Sequence, residues 1–169
     1  MDTVDSYDSL AHDLPDSWVT SLIDIGCPID QPDKGDSYIL CVACEHLQPE
    51  NVKLALSVGA NPNCQNFESN TPLLCAIDVS HLNPVLAFEI VEMLLAAGAN
   101  IEIRGYMDKT PFLKACTRGC LDILKLLISS GCDIHAVTWA PDNFNGIDCA
   151  TTFDNSPVFK AYVLGLYDA

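Results

Sequence analysis

Cys116 stands between Lys114 and Arg118 in the run DKTPFLKACTRG, residues Asp108 to Gly119. Two cations beside a thiol favour the thiolate, the form that attacks an electrophile, so the pattern is that of a candidate nucleophile. Covalent catalysis also needs a base within reach of the thiol, and the run contains no histidine. Cys41-x-x-Cys44, with His46 close by, has the spacing of half a zinc site. A matching half is missing, because Cys116 and Cys120 are four apart and no histidine follows them closely. Small thiols buried in helix interiors are the simpler reading of both patterns. The chain has no phosphate-cradling Gly-rich loop, no Gly-x-Ser-x-Gly and no His-Glu-x-x-His. Asp33 and Asp36 fall in a turn-like stretch, where Asp is favoured for backbone reasons. Nothing in this inventory calls for an enzyme, a metal or a cofactor.

The elements that would position these residues come from a chain of 169 residues, 49% of them hydrophobic. That suffices for one domain, at most two, with a packed core and no covalent staples. The nine cysteines, an odd number spread through apolar segments, read as free thiols of a reducing compartment rather than as a disulfide framework. No apolar run approaches the roughly 18 residues of a membrane helix. The opening MDTVDSYDSLAHDLPDSW lacks the basic and apolar parts of a signal peptide, although a mature chain already cleaved would read the same. A cytoplasmic protein is expected. The net charge of −15 argues against direct nucleic-acid binding, where Lys and Arg must neutralise phosphates. It would steer the chain toward basic partners. The charge is uneven: residues 1–36 hold nine Asp and one Lys, whereas 104–125 hold five Lys or Arg against two Asp.

The chain repeats itself. Four glycines that follow apolar helical runs, Gly26, Gly59, Gly98 and Gly131, are spaced by 33, 39 and 33 residues, and a period near 33 marks a stacked-repeat architecture. Twelve residues after Gly59 and after Gly98 stand Thr71-Pro72 and Thr110-Pro111, each followed by an apolar couplet and, two residues on, Ala76 and Ala115. A weaker copy runs from Gly35 to Ala43. The run around Cys116 is therefore one copy of a unit, and its chemistry is first of all architectural. Thr-Pro starts a helix well, because the hydroxyl caps free amides and Pro at the first position loses no needed donor. Arg118-Gly119 breaks that helix, and Leu121, Ile123, Leu124, Leu127 and Ile128 form the apolar stripe of a second. Gly131 supplies the left-handed backbone that ends it. Neither helix hides its stripe alone; stacking the pairs does.

The Gly-x-Thr-Pro-Leu opening and the Gly-Ala-Asn/Asp close resemble those of the ankyrin repeat. The resemblance covers nearly the whole chain and implies an all-α solenoid of helix-turn-helix pairs with hairpin-like loops. About five units are expected, at about 15–32, 33–65, 66–103, 104–136 and 137–167, the two terminal ones being degenerate caps. Gly146-Ile147-Asp148 stands where Gly-x-Thr would, and Val158–Leu166 reads as the final helix. Met1–Leu14 matches nothing, and its composition reads as an acidic, poorly ordered arm. The family's His after Thr-Pro-Leu is replaced by Leu40, Leu74 and Leu113. Six extra residues around Ser80–Ala87 are expected to lengthen the connection between two helices, and the link after Gly131 grows by about five. Cys116 falls where the family places a core Ala.

Such stacks present hairpin tips and first-helix residues along one concave side, so the resemblance implies a partner-binding surface. Its tips are Phe67 and Glu68 in one repeat, Tyr106, Met107 and Asp108 in the next, and Trp139, Asp142 and Phe144 before the last cap. Its first helices contribute Glu45, Asp78, Lys114 and Arg118. Exposed aromatics in a row are the anchors that dominate interfaces; the competing expectation is that they fold back over apolar surface. The short acidic chain also resembles the small free-standing ankyrin proteins that bacteria make as immunity partners of secreted toxins. That implies a monomeric, non-catalytic inhibitor of a basic toxin or enzyme, with no membrane and no direct nucleic-acid partner. A signalling scaffold or host-directed effector adaptor, and an acidic mimic of nucleic acid, are the rival readings.

Overall fold

A computed structural model describes residues 6–13, 16–139, 141–152 and 155–168. Among them are ten α-helices: α1 Tyr7–Asp13, α2 Trp18–Asp24, α3 Ile39–Glu45, α4 Pro49–Ser57, α5 Pro72–Asp78, α6 Pro84–Ala96, α7 Pro111–Arg118, α8 Leu121–Ser129, α9 Gly146–Thr152 and α10 Pro157–Tyr167. The odd-numbered helices stack in one row, and α2, α4, α6 and α8 stack in a second. The core lies between the rows, with Leu40, Leu73, Leu94, Leu113 and Leu127 almost wholly buried.

Each sequence signal has its local cause. Thr71 and Thr110 Oγ1 accept from the amides of Leu74 and Leu113, both at 3.3 Å, and each is followed by Pro at the first helical position. Gly26, Gly59, Gly98 and Gly131 have φ of 76°, 94°, 86° and 85°, the left-handed closure that ends a helix at little cost only for glycine. Leu40, Leu74 and Leu113 are buried, so apolar packing replaces the hydrogen bonds of the missing histidines.

Between each second helix and the next first helix the chain makes a hairpin. The amides of Asp33, Asn66 and Gly105 donate to the carbonyls of Ser37, Asn70 and Lys109 at 2.9, 3.0 and 3.1 Å. A ladder joins the turns behind them. Asp30 Oδ1 accepts from the Asn61 amide at 2.8 Å, Asn63 Oδ1 from Asn100 at 2.7 Å, and Glu102 Oε1 from Asp133 at 2.8 Å. In each rung the residue four past one glycine holds the backbone two past the next. At the end of the ladder the Tyr167 hydroxyl donates to the Ile134 carbonyl at 2.5 Å, and its ring lies edge-on to His135 at 5.7 Å.

Three expectations are corrected. The acidic arm is helical where it is described: α1 packs on α3 as the first helix of the N-terminal unit. Tyr7 is fully buried, its hydroxyl donates to the Gln31 carbonyl at 2.8 Å, and its amide donates to Asp33 Oδ2 at 2.9 Å. Tyr7 and Ala11 share a face, which composition averaged over many Asp conceals. Met1–Asp5 and Leu14 of that expectation lie outside the described residues.

The six-residue insertion goes mostly into α6, which has 13 residues where α4 and α8 have 9. Asn83 Oδ1 caps it early, accepting from Leu86 at 3.2 Å, and Pro84 fixes its first turn. The link after Gly131 widens only the tip, since Thr138 pairs with Phe144 around residues 139–143 where earlier tips hold 67–69 and 106–108. Asn145, not Asp148, caps α9, its Oδ1 accepting from Ile147 and Asp148 at 2.8 and 3.1 Å. Gly146 follows directly, under the Tyr167 hydroxyl, where a Cβ would lie 2.7 Å from that oxygen.

Candidate protein-binding surface

The hairpin tips overhang the C-terminal ends of the first helices, and the space between them is a groove built from shared walls. Its first depression, about 320 Å³, is lined by Glu45, Phe67 and Glu68 and reaches Asp78. Its second, about 330 Å³, shares Glu68 and Asp78 and adds Tyr106, Lys114 and Arg118. Its third, about 410 Å³, shares Met107 and Lys109 with the second and runs under Trp139, Asp142 and Phe144. Asp108 lines a side opening of about 490 Å³ between the tips. The structure thus brings all the sequence-derived surface residues to one groove.

Their environments differ. Phe67, Tyr106, Met107 and Trp139 are 65, 56, 61 and 75% exposed, so they do not fold back as a cover for core, whereas Phe144, 38% exposed, is more than half covered. Met107 and Asp108 hold φ of 58° and 57°, a conformation that non-glycine residues adopt at a cost and that turns the tip over the groove. Asp108 is tied down: its carboxylate accepts from Arg104 Nη1 at 2.6 Å, and the same nitrogen donates to the Val137 carbonyl at 2.7 Å. Arg104 therefore clamps one tip to the next. Gly105 is needed at this point, because a Cβ would lie 2.4 Å from Asn70 Oδ1 and 2.5 Å from Leu74 Cδ1. That Asn70 oxygen holds the Tyr106 amide at 3.0 Å.

Along the floor, Asp78 Oδ1 accepts from Lys114 Nζ at 2.8 Å and from Arg118 Nε and Nη2 at 3.1 and 2.8 Å, joining α5 to α7. Burial pushes the Asp78 carboxyl up, but the hydrogen bonds and charges of Lys114 and Arg118 outweigh it and hold it below the ordinary value. Glu45 goes the other way: burial raises its carboxyl, only partly offset by the Cys75 thiol that donates to Oε1 at 3.1 Å. Lys109, which sequence reasoning did not single out, is 8% exposed, and its Nζ donates to Thr117 Oγ1 at 3.0 Å. Burial lowers its affinity for the proton. Its only signal in the sequence is a cation directly before Thr110-Pro111.

The candidate nucleophile is structural. Cys116 is fully buried, burial pushes its thiol well up, and both flanking cations point to Asp78. Cys41 Sγ lies 3.8 Å from Cys64 Sγ, while His46 Nε2 meets Asp8 Oδ1 at 2.8 Å on the surface. Among the described residues no three His, Cys, Asp or Glu side chains are placed to hold a metal ion, and no helix is long and apolar enough to cross a membrane.

The sequence of these repeats is similar to that of known proteins. The chain is 33% identical over 103 residues to the human transient receptor potential cation channel subfamily A member 1, covering 60% of this chain and 9% of that protein. It is 29% identical over 120 residues to human NF-kappa-B inhibitor alpha, covering 68% and 36%. It is 36% identical over 98 residues to glycerophosphocholine phosphodiesterase gde1 of Schizosaccharomyces pombe, covering 57% and 8%. The chain thus spans well under half the length of each of these relatives. The family model for ankyrin repeats (3 copies) matches residues 40–138, and the chain belongs to the ankyrin-repeat family, whose repeats bind other proteins.

Proposed function

We propose that this protein is a non-catalytic inhibitor that seats a basic partner in the groove, and that the partner is a cognate secreted toxin or similar enzyme whose active site it occludes. One observation carries the reading: Phe67, Tyr106, Trp139 and Phe144 stand exposed in a row over a single groove. Aromatic anchors of this kind dominate interface energetics when desolvated. The charge of −15 would speed encounter with a basic protein without fixing the final affinity. A relative similar over 120 residues is itself named an inhibitor. The acidic-mimic reading has less support, because Asp78 and Asp108 are neutralised by Lys114, Arg118 and Arg104 rather than displayed as a row of free carboxylates.

The test is capture by the tagged protein from its native source under low- and high-salt washes, followed by titration of the captured protein's activity. A single stoichiometric partner that survives high salt, and loses its activity at a 1:1 ratio, supports the inhibitor. Tyr106→Ala and Trp139→Ala should each weaken that complex about 30-fold, the equivalent of an anchor worth roughly 2 kcal/mol. Many weak partners with unaltered activities would favour a signalling scaffold or host-directed adaptor. Loss of all binding in salt, with no effect of either variant, would favour the mimic.

A further inference from the structure

The two ends of the groove differ in chemistry. The third depression, at the C-terminal end, is apolar: Met107, Trp139 and Phe144 wall it, and the buried Cys149 lies beneath them. The first depression has Glu45, Glu68 and Asp78 in its lining and no Lys or Arg. Asp78 is already occupied by Lys114 and Arg118, and Asp108 in the side opening by Arg104. Glu45 and Glu68 have only neutral partners. Glu45 Oε1 accepts from the Cys75 thiol at 3.1 Å and from Asn66 Nδ2 at 3.3 Å, and Glu68 Oε2 accepts from Asn70 Nδ2 at 3.1 Å. The other oxygen of each accepts no hydrogen bond among the described residues. The charge of Glu68 adds to burial in raising the Glu45 carboxyl, so the two carboxylates repel each other across this end of the groove. Phe67, next to Glu68 in the tip, presents its exposed ring to the same space.

We infer that the apolar depression under Trp139 and Phe144 seats an aliphatic or aromatic side chain of an extended segment of the basic partner, and that an Arg or Lys of the same segment lies over Phe67 between Glu45 and Glu68. The inference rests on the groove's being the binding surface and says what that surface selects. Charge complementarity fixes the occupant. A cation relieves the repulsion between Glu45 and Glu68 and takes the face of the Phe67 ring, whereas an Asp or Glu there would meet like charge. Arg suits the place better than Lys, because its planar fork can stack on the ring while its edges donate to carboxylates. The spacing follows from the stack. Adjacent stacked helices lie about 8–10 Å apart, so two steps along the groove span about 16–20 Å. Six residues of a polyproline-II segment span about 19 Å and return to the same face, so cation and apolar anchor should be about six residues apart. The carboxylates bound by the chain's own cations hold the groove together, and Glu45 and Glu68 read the partner.

The test is selection of random peptides displayed on phage against the full chain, followed by affinity measurement with the selected peptides made synthetically. The expected result is enrichment of Arg or Lys about six residues from Leu, Ile, Phe, Tyr or Trp. The double variant Glu45→Gln, Glu68→Gln keeps the side-chain shapes and should weaken those peptides about ten-fold with an unchanged melting temperature. The same peptides with their cation replaced by Ala should bind wild type and double variant alike. Selection against Glu68→Lys should lose the enriched cation and keep the apolar residue. Peptides that depend on Trp139 but carry no cation at this spacing, or that ignore the double variant, overturn the pairing and leave the groove standing. No enrichment at all, or peptides indifferent to both Tyr106→Ala and Trp139→Ala, overturns the groove and the pairing with it.

Discussion

Removing the Asp78 carboxylate should loosen the joint between the third and fourth units, where α5 meets α7. Breaking a fully buried ion pair costs about 3–5 kcal/mol, while an exposed pair contributes about 0–1 kcal/mol. The joint lies between these limits, since the Asp78 and Arg118 side chains are 33 and 35% exposed but Lys114 is only 8% exposed. Asp78→Ala should therefore destabilise by about 2 kcal/mol, lowering Tm by roughly 4–8 °C in a domain of this size. Lys114→Met removes the stranded ammonium, so the double variant should recover part of the loss, with a coupling of about 1–2 kcal/mol in a urea-denaturation cycle. Because the folded carboxyl is held below its ordinary value of 3.8, its contribution is complete above that value and disappears as pH falls through the folded value. The gap between wild type and variant should accordingly stay constant from neutral pH into the ordinary carboxylate range and close below it. An Asp78→Ala variant within about 0.5 kcal/mol of wild type, or strictly additive single variants, would refute the account.

Other outcomes follow from the packing. Gly105→Ala pushes a methyl against Asn70 and Leu74 and should cost about 1–3 kcal/mol in chemical denaturation; wild-type stability would mean that the tip gives way freely. Tyr7→Ala should cost about 3–5 kcal/mol and red-shift the emission of Trp18, whose ring lies 6.2 Å from that of Tyr7. A mild effect would show that α1 does not cap the stack. Under native conditions a maleimide should label the half-exposed Cys27 first and reach the buried Cys116 only after unfolding, as read by mass spectrometry. Equal labelling rates would return Cys116 to consideration as a reactive thiol.

The spacing of Gly26, Gly59, Gly98 and Gly131 made the architecture legible, because left-handed helix ends and Thr-Pro caps are local devices that little but these residues can supply. Features set by a few contacts within a misleading background were not legible. The α1 helix depends on Tyr7 reaching Gln31 and Asp33 across the fold, while its neighbours in sequence read as solvated Asp. The insertion became helix because Asn83-Pro84 offers an earlier cap than the repeat spacing implies. The tip residues were legible through the resemblance to the repeat family, and the structure puts 67–69 and 106–108 between the paired ends of hairpins. The pairing beneath them was not legible: nothing in sequence order says that Asp78 meets residues 36 and 40 positions later, or that Lys109 turns inward beside them.

The ladder of turns behind the hairpins also sets a limit on growth. A rung needs a backbone N–H two residues after the closing glycine, as at Asn61, Asn100 and Asp133. In the first unit that residue is Pro28, which has no N–H to give. At the other end, His135 occupies the acceptor position but is covered by the Tyr167 ring. A second copy arriving at either end finds no rung to continue. In polymer terms the repeat is a unit able to propagate, and Pro28 and the Tyr167 ring are where its ladder is interrupted.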